Sequence, residues 1–142
     1  MRNGVWRDRV RWRSGRAAFA RSGVTVRIAS RHPGQAEGDS LEQIAADAHD
    51  ERSVEAAVVD ADGVVNAISI YVEHGRDTFH SVQVEAAARI ARAARRAGTK
   101  RFVHLSGLGA DAGSSSPYIR TGARASRPCR PHSVAQLLFA RR

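Results

Sequence analysis

The sequence predicts an α/β domain built on an open, doubly wound parallel sheet. Short runs rich in β-branched residues alternate with helical stretches, as in such sheets. The stretch Asp60–Ser106 reads strand, long helix, strand. Its strand runs are apolar and close on small polar residues, as strands buried on both faces of a parallel sheet do.

That central unit consists of DADGVVNAIS, then DTFHSVQVEAAARIARAARRAG, then RFVHLS. Asp77 stands where it can cap the helix. Phe79, Val82, Ala86, Ile90, Ala93 and Ala97 recur three or four apart and give one apolar stripe. Glu85 sits four before Arg89, the favourable order for a pair on the wet face. Gly98 is a natural stop. A helix of this length spans roughly 30 Å, enough to return the chain parallel to its first strand in a right-handed crossover.

The other elements follow in order. Val24–Ala29 (VTVRIA) is a short strand ending in the turn Ser30-Arg31-His32-Pro33-Gly34. Gln43–Ala48 is a strand or a helical turn, which periodicity alone does not separate. Glu51–Val59 is a helix with Val54, Ala57 and Val58 inward. After Ser106 comes a Gly/Ser loop, GLGADAGSSSP, and Tyr118-Ile119-Arg120 begins another helix.

Composition bounds the rest. At 142 residues the chain is one domain at most. It has no apolar run long enough to span a membrane. Its single cysteine, Cys129, excludes an internal disulfide framework and suits a reducing cytoplasm. His32, His49, His74, His80 and His104 show no metal-like spacing, so no metal site is expected.

The net charge of +9 sits at the ends. Residues 1–22 carry seven Arg and one Asp, and residues 119–142 carry six Arg and no acid. Residues 23–118 hold ten basic and thirteen acidic groups. A folded nucleic-acid binder carries its basic face on ordered elements, which here are slightly acidic. An Arg-armed nucleic-acid binder is therefore the lesser reading. The expected division is a basic arm over 1–20, a domain over 21–120 and a basic tail over 121–142. An Arg-rich, acid-poor transit peptide is the alternative for the arm.

Ligands of open parallel sheets bind beyond the carboxyl ends of the strands. That rule selects Ser30-Arg31, Asp47, Asn66 to Ser69, and Ser106 to Gly109. With these strand ends in place, residues 20–120 resemble the atypical, extended-like short-chain dehydrogenase/reductases. The nearest likeness is to proteins related to the nucleotide-binding accessory subunit of respiratory complex I. The resemblance rests on VTVRIASRHP, on ADAHDERSVEAAVVDADGVVNAIS, on the central helix and on RFVHLSGLGADAGSSSPYIR.

The resemblance implies a partial Rossmann-like sheet, an oxidoreductase or epimerase ancestry, a dinucleotide partner and a small-molecule substrate that it does not identify. By position, Ser30 and Arg31 fall where the family reads the adenosine ribose. A guanidinium there can pair with a 2′-phosphate, which implies NADP rather than NAD. The alternative is a solvated turn arginine. Asp47 falls at the adenine contact, with a helix cap or surface acid as the alternative. Asn66, Ala67 and Ile68 would line the wall beside adenine and ribose, or simply pack. Ser106 and Tyr118 fall at the active-site serine and tyrosine. The family's lysine, four residues after its tyrosine, is here Gly122, so the acid–base pair is absent. A non-catalytic nucleotide-binding module of the same fold is the alternative function.

The largest departure is at the front. The family opens with a strand and a G-x-x-G-x-x-G turn that holds the pyrophosphate. Residues 1–20 contain only Gly4 and Gly15. Codons permitted for Trp6–Phe19, read one nucleotide later, can spell Gly-Gly-Thr-Gly-Phe-Val-Gly-Gly-Ala-Val-Val-Arg-His. Codons for Thr121–Arg141, read two nucleotides later, can spell Arg-Gly-Glu-Gly-Glu-Gln-Ala-Val-Gln-Ala-Ala-Phe-Gly-Gly-Ala-Thr-Ile-Val-Arg-Pro. The expectation is a fragment whose two ends are out of frame, with the first strand and Gly-rich turn degraded and NADP binding weak or lost.

Overall fold

A computed structural model of the chain describes residues 25–34, 41–107 and 109–126. Strand β1 (Val26–Ser30) pairs in parallel with β2 (Leu41–Ala45), Val26 opposite Leu41 and Ser30 opposite Ala45. Helix α1 (Glu51–Val58) follows, then β3 (Gly63–Asn66). A π-helical segment (His80–Glu85) runs straight into α2 (Ala86–Arg96). Strand β4 (Arg101–His104) then pairs in parallel with β3, and helix α3 (Pro117–Ala125) closes the described chain. The fold is α/β, with parallel strands alternating with helices. Among the described residues no ladder joins the β1–β2 pair to the β3–β4 pair.

Pairing with β1 makes β2 a strand, beginning at Leu41 rather than Gln43. The carboxylate of Asp50 caps α1 by accepting from the backbone N–H groups of Arg52 and Ser53. At the other end of α1, Arg27 of β1 donates to the backbone oxygens of Val59 at 2.8 Å and Ala57 at 3.3 Å. A cation at a helix C-terminus also suits the helix dipole.

The core lies where α1, α2 and β3–β4 meet. Val54, Val58, Ile90 and Ala93 are buried there, with Val64 and Phe102 packed against them. Ala86 and Ala87 are fully buried, so their methyl groups let neighbouring elements approach closely. Val82, Ala86, Ile90 and Ala93 of the expected stripe are inside, while Ala97 is exposed beyond the end of α2. Gly98 takes φ +73°. The Gly98 N–H donates to Arg95 and the Thr99 N–H to Ala94, which is the Schellman closure.

Three local expectations are corrected. Asp77 does not cap the central helix. Instead, the Thr78 N–H donates to Ser81 Oγ and the Ser81 N–H to Thr78 Oγ1, a reciprocal capping arrangement. Arg89 turns inward and donates to the backbone oxygen of Ala48 at 2.6 Å instead of meeting Glu85. The chain also stays helical past residue 120, because Thr121 and Ala125 of α3 are buried. The basic arm over 1–20, Cys129 and the tail from 127 lie outside the described residues. No helix among the described residues is long and apolar enough to cross a membrane.

Candidate dinucleotide and substrate site

The loop after β3 meets the carboxyl ends of β1 and β2 through Arg31–Asp77 and Arg76–Asp47, and these ends with those of β3 and β4 are the edge where a ligand was expected. Different residues serve the two halves of that edge.

At the end of β1, Ser30 accepts from the Ala46 N–H through its backbone oxygen, and Arg31 begins the bend that follows. Just past β2, the Asp47 carboxylate accepts from the His49 N–H at 2.9 Å. Ser53 Oγ accepts from the Asp47 N–H at 2.7 Å and so fixes the turn into α1. Both predicted adenosine-reading side chains are then met by one loop. In that loop His74 and Asp77 form an antiparallel bridge around Gly75. Arg31 Nη1 donates to Asp77 Oδ2 at 2.8 Å, and His49 Nε2 lies 2.8 Å from Asp77 Oδ1. Arg76 pairs with Asp47.

These contacts shift both acids in one direction. The hydrogen bond from the His49 backbone, helped by the Arg76 guanidinium, holds the Asp47 carboxyl below the usual aspartate range. Hydrogen bonds from Arg31 and then His49 do the same for Asp77.

The other half of the edge is a cleft at the ends of β3 and β4. It is lined by Ile68, His104, Ser106, Gly107, Tyr118 and Gly122, among others. The predicted serine and tyrosine are therefore brought together with Ile68 of the predicted wall. Ser106 is exposed and its Oγ lies 3.5 Å from the backbone oxygen of Gly122. The Tyr118 ring stacks on Tyr71 at 5.6 Å and meets Phe79 edge-on at 5.7 Å. Helix α3 is held in place by Thr121, whose hydroxyl donates to the buried Gln83 Oε1 at 2.7 Å. A Cβ added at Gly122 would meet only Gln83 Oε1, at 3.9 Å, so the position has room for a side chain.

Asn66 has a different task from the one expected. It is 2 % exposed, so its side chain supports the wall from behind. Its Oδ1 accepts from the Ile68 N–H and its Nδ2 lies 3.1 Å from His104 Nδ1. Ala67 and Ile68 are exposed beside it. Sequence reasoning set His104 and His49 aside as incidental, yet both hold polar contacts at the strand ends. The parallel register that places Asn66 opposite His104 was the usable signal for the first. Burial holds His104 below the ordinary histidine pKa.

Among the described residues no three His, Cys, Asp or Glu side chains converge as a metal site would require. A nicotinamide dinucleotide suits the edge better in kind. Arg31 is a cation for a phosphate, Ala67 and Ile68 give an exposed small and apolar wall, and Ser106 and Tyr118 are hydroxyls.

No curated protein matches the chain. Several solved structures share its fold. A uronate dehydrogenase variant from Agrobacterium tumefaciens complexed with NAD superposes with a TM-score of 0.68 at 21% identity, over 80% of this chain and 48% of that one. A glucuronic acid dehydrogenase from Chromohalobacter salexigens gives 0.67 at 20% identity, over 78% and 47%. A short-chain dehydrogenase/reductase superfamily protein from Agrobacterium tumefaciens with bound NAD gives 0.66 at 23% identity, over 82% and 40%. The chain thus spans less than half the length of these structures, and the shared part is the Rossmann-like sheet. The sequence pattern of NAD(P)H-binding proteins matches residues 15–129. On that match, which covers most of its length, the chain belongs to the NAD(P)H-binding family.

Proposed function

We propose that the chain is the dinucleotide-holding part of a short-chain dehydrogenase/epimerase-like protein, selective for NADP and impaired in binding as its sequence stands. The adenosine end lies against Ser30, Arg31, Asp47, Ala67 and Ile68. The nicotinamide and a small-molecule substrate meet at Ser106 and Tyr118. One observation carries this reading: Ser106, Tyr118 and Ile68, which are far apart in sequence, line one cleft at the carboxyl ends of two parallel strands. That is where open α/β sheets hold ligands. The impairment follows from the front of the sequence, which lacks the Gly-rich turn whose N–H groups would hold the phosphates. Out-of-frame ends account for both that lack and the Arg-rich composition.

Gly122 favours a second reading. Without a cation one helical turn after Tyr118, the acid–base pair of a working reductase is incomplete. A non-catalytic nucleotide-binding module, like the accessory subunit of complex I, needs no such cation.

A thermal-shift titration of the full chain with NADPH and NADH tests the proposal. No shift at millimolar NADPH is expected. A clear shift overturns the impairment, and a larger shift with NADH overturns the NADP preference. The coding DNA tests the frame proposal directly, because the shifted frames must contain the glycine turn.

A further inference from the structure

Asn66 and His104 face each other across the parallel β3–β4 ladder, and their side chains touch. Asn66 Oδ1 is committed as acceptor to the Ile68 N–H at 3.1 Å. The amide nitrogen must then be the group facing His104, and it can only donate. His104 Nδ1 is therefore an acceptor, and the neutral ring carries its proton on Nε2. Burial lowers the ring's pKa, which keeps it neutral. Among the described residues no protein acceptor is paired with that Nε2–H, and His104 lines the cleft with Ser106 and Tyr118.

The rest of the lining narrows what it would meet. The described residues around the cleft include no Asp, Glu, Lys or Arg. A charged ligand would lose its hydration there without a counter-charge. Hydroxyls of Ser106 and Tyr118 and apolar faces of Ile68 and Ala125 remain.

We propose that His104 contacts ligand in this cleft, its Nε2–H donating to the oxygen of an uncharged carbonyl compound, with Asn66 as the positioning residue that fixes the tautomer. This rests on reading the cleft as the substrate end of the site. It adds a polarising donor beside the serine and tyrosine.

The test uses the full chain labelled with nitrogen-15 at histidine, with long-range proton–nitrogen spectra. At neutral pH, His104 should show a protonated Nε2 and an unprotonated Nδ1. Cyclohexanone should shift the Nε2 signal saturably. Methylenecyclohexane, which has the same shape without the oxygen, should not. In His104→Phe, the cyclohexanone dissociation constant read from the Tyr118 ring signals should rise about tenfold, the scale of one lost hydrogen bond. In Asn66→Leu the ring proton should spread over both nitrogens. Should that variant fail to fold, the wild-type tautomer and the His104→Phe titration still decide. A proton on Nδ1 in the wild type, an Nε2 signal unmoved by the ketone, or equal affinity in His104→Phe overturns the proposal. A clear NADPH response in the same sample counts against the proposed impairment alone, since none of these measurements needs the dinucleotide.

Discussion

Arg31 donates to the carboxylate of Asp77 at 2.8 Å, although forty-six residues separate them in sequence. The neighbouring Arg76 pairs with Asp47. Two adjacent loop residues thus occupy both groups proposed to read adenosine. On the proposed reading, Asp77 takes the place of a 2′-phosphate on Arg31, and Arg76 covers the Asp47 carboxylate. Arg31 is half-exposed, so the pair is weak, of order 0.2–1 kcal/mol. Asp77→Asn should therefore strengthen adenosine 2′,5′-bisphosphate binding about two- to fivefold, and Arg31→Ala should abolish the gain. Calorimetry with 5′-AMP as control checks this. The 2′-phosphate effect must be absent for AMP.

The same contacts set an acid limit. The folded-state pKa values of Asp47 and Asp77 both lie below the ordinary aspartate value. An unfolded chain binds their protons first as pH falls. Their stabilisation is thus complete above about pH 3.9, and it is lost as pH drops from there through their folded pKa values. Asp77→Asn should flatten the acid limb of stability, and Arg31→Ala should flatten it less, because His49 still faces Asp77. Urea midpoints followed from neutral pH down to pH 3 read both effects.

The alternation of strands and helices and the parallel return from β3 to β4 were legible because apolar strands and a long stripe depend on local periodicity. The end of the helix was legible too, since only a glycine sits easily at the φ of Gly98. What the pattern hid was decided by side chains meeting across sequence distance. Arg89 had an acidic neighbour at the right helical spacing, yet it reaches Ala48, an unpaired carbonyl on another element. Asp77 looked like a cap, but three hydrogen-bonding groups compete for that entrance, and Thr78 with Ser81 satisfies it locally. That frees Asp77 for Arg31. Of the expected site, Ser106 and Tyr118 line one cleft, whereas Asn66 is buried as His104's partner.

Two glycines separate backbone from packing effects. Neither Gly98 nor Gly122 would bring a new Cβ into a clash. Gly98 has φ +73°, so Gly98→Ala should cost about 1 kcal/mol by conformation alone. Gly122 lies inside α3, so Gly122→Lys should stabilise by roughly 0.5–1 kcal/mol. It also places an ammonium one turn from Tyr118. Opposite signs of the two stability changes in denaturant unfolding are the required result.

Thr121 and Gln83 make a buried polar link between α3 and the π-helical segment. Thr121→Val keeps the shape and removes the donor, leaving Gln83 Oε1 without it in the interior. The expected cost is about 1–3 kcal/mol, larger than a surface threonine would give. Gln83→Leu combined with Thr121→Val should recover part of that loss, since neither polar group is then stranded. Denaturant unfolding of the two singles and the double decides whether the link acts as a pair.

The sharpest prediction concerns the front of the chain. The exchange replaces Trp6–Ala18 with the reading one nucleotide later, Gly-Gly-Thr-Gly-Phe-Val-Gly-Gly-Ala-Val-Val-Arg-His. This supplies backbone N–H donors and a helix start for a pyrophosphate. Nothing described in residues 25–126 changes in sequence. The exchanged protein should gain an NADPH-dependent rise in melting temperature of several degrees, because a ligand that binds only the folded state stabilises it by mass action. The rise should shrink on Arg31→Ala, which removes the 2′-phosphate partner, while the NADH response stays. If the exchange yields a folded protein with no NADPH response, the proposed frame error at the front is wrong, and the strand ends of β1 and β2 serve something other than a dinucleotide.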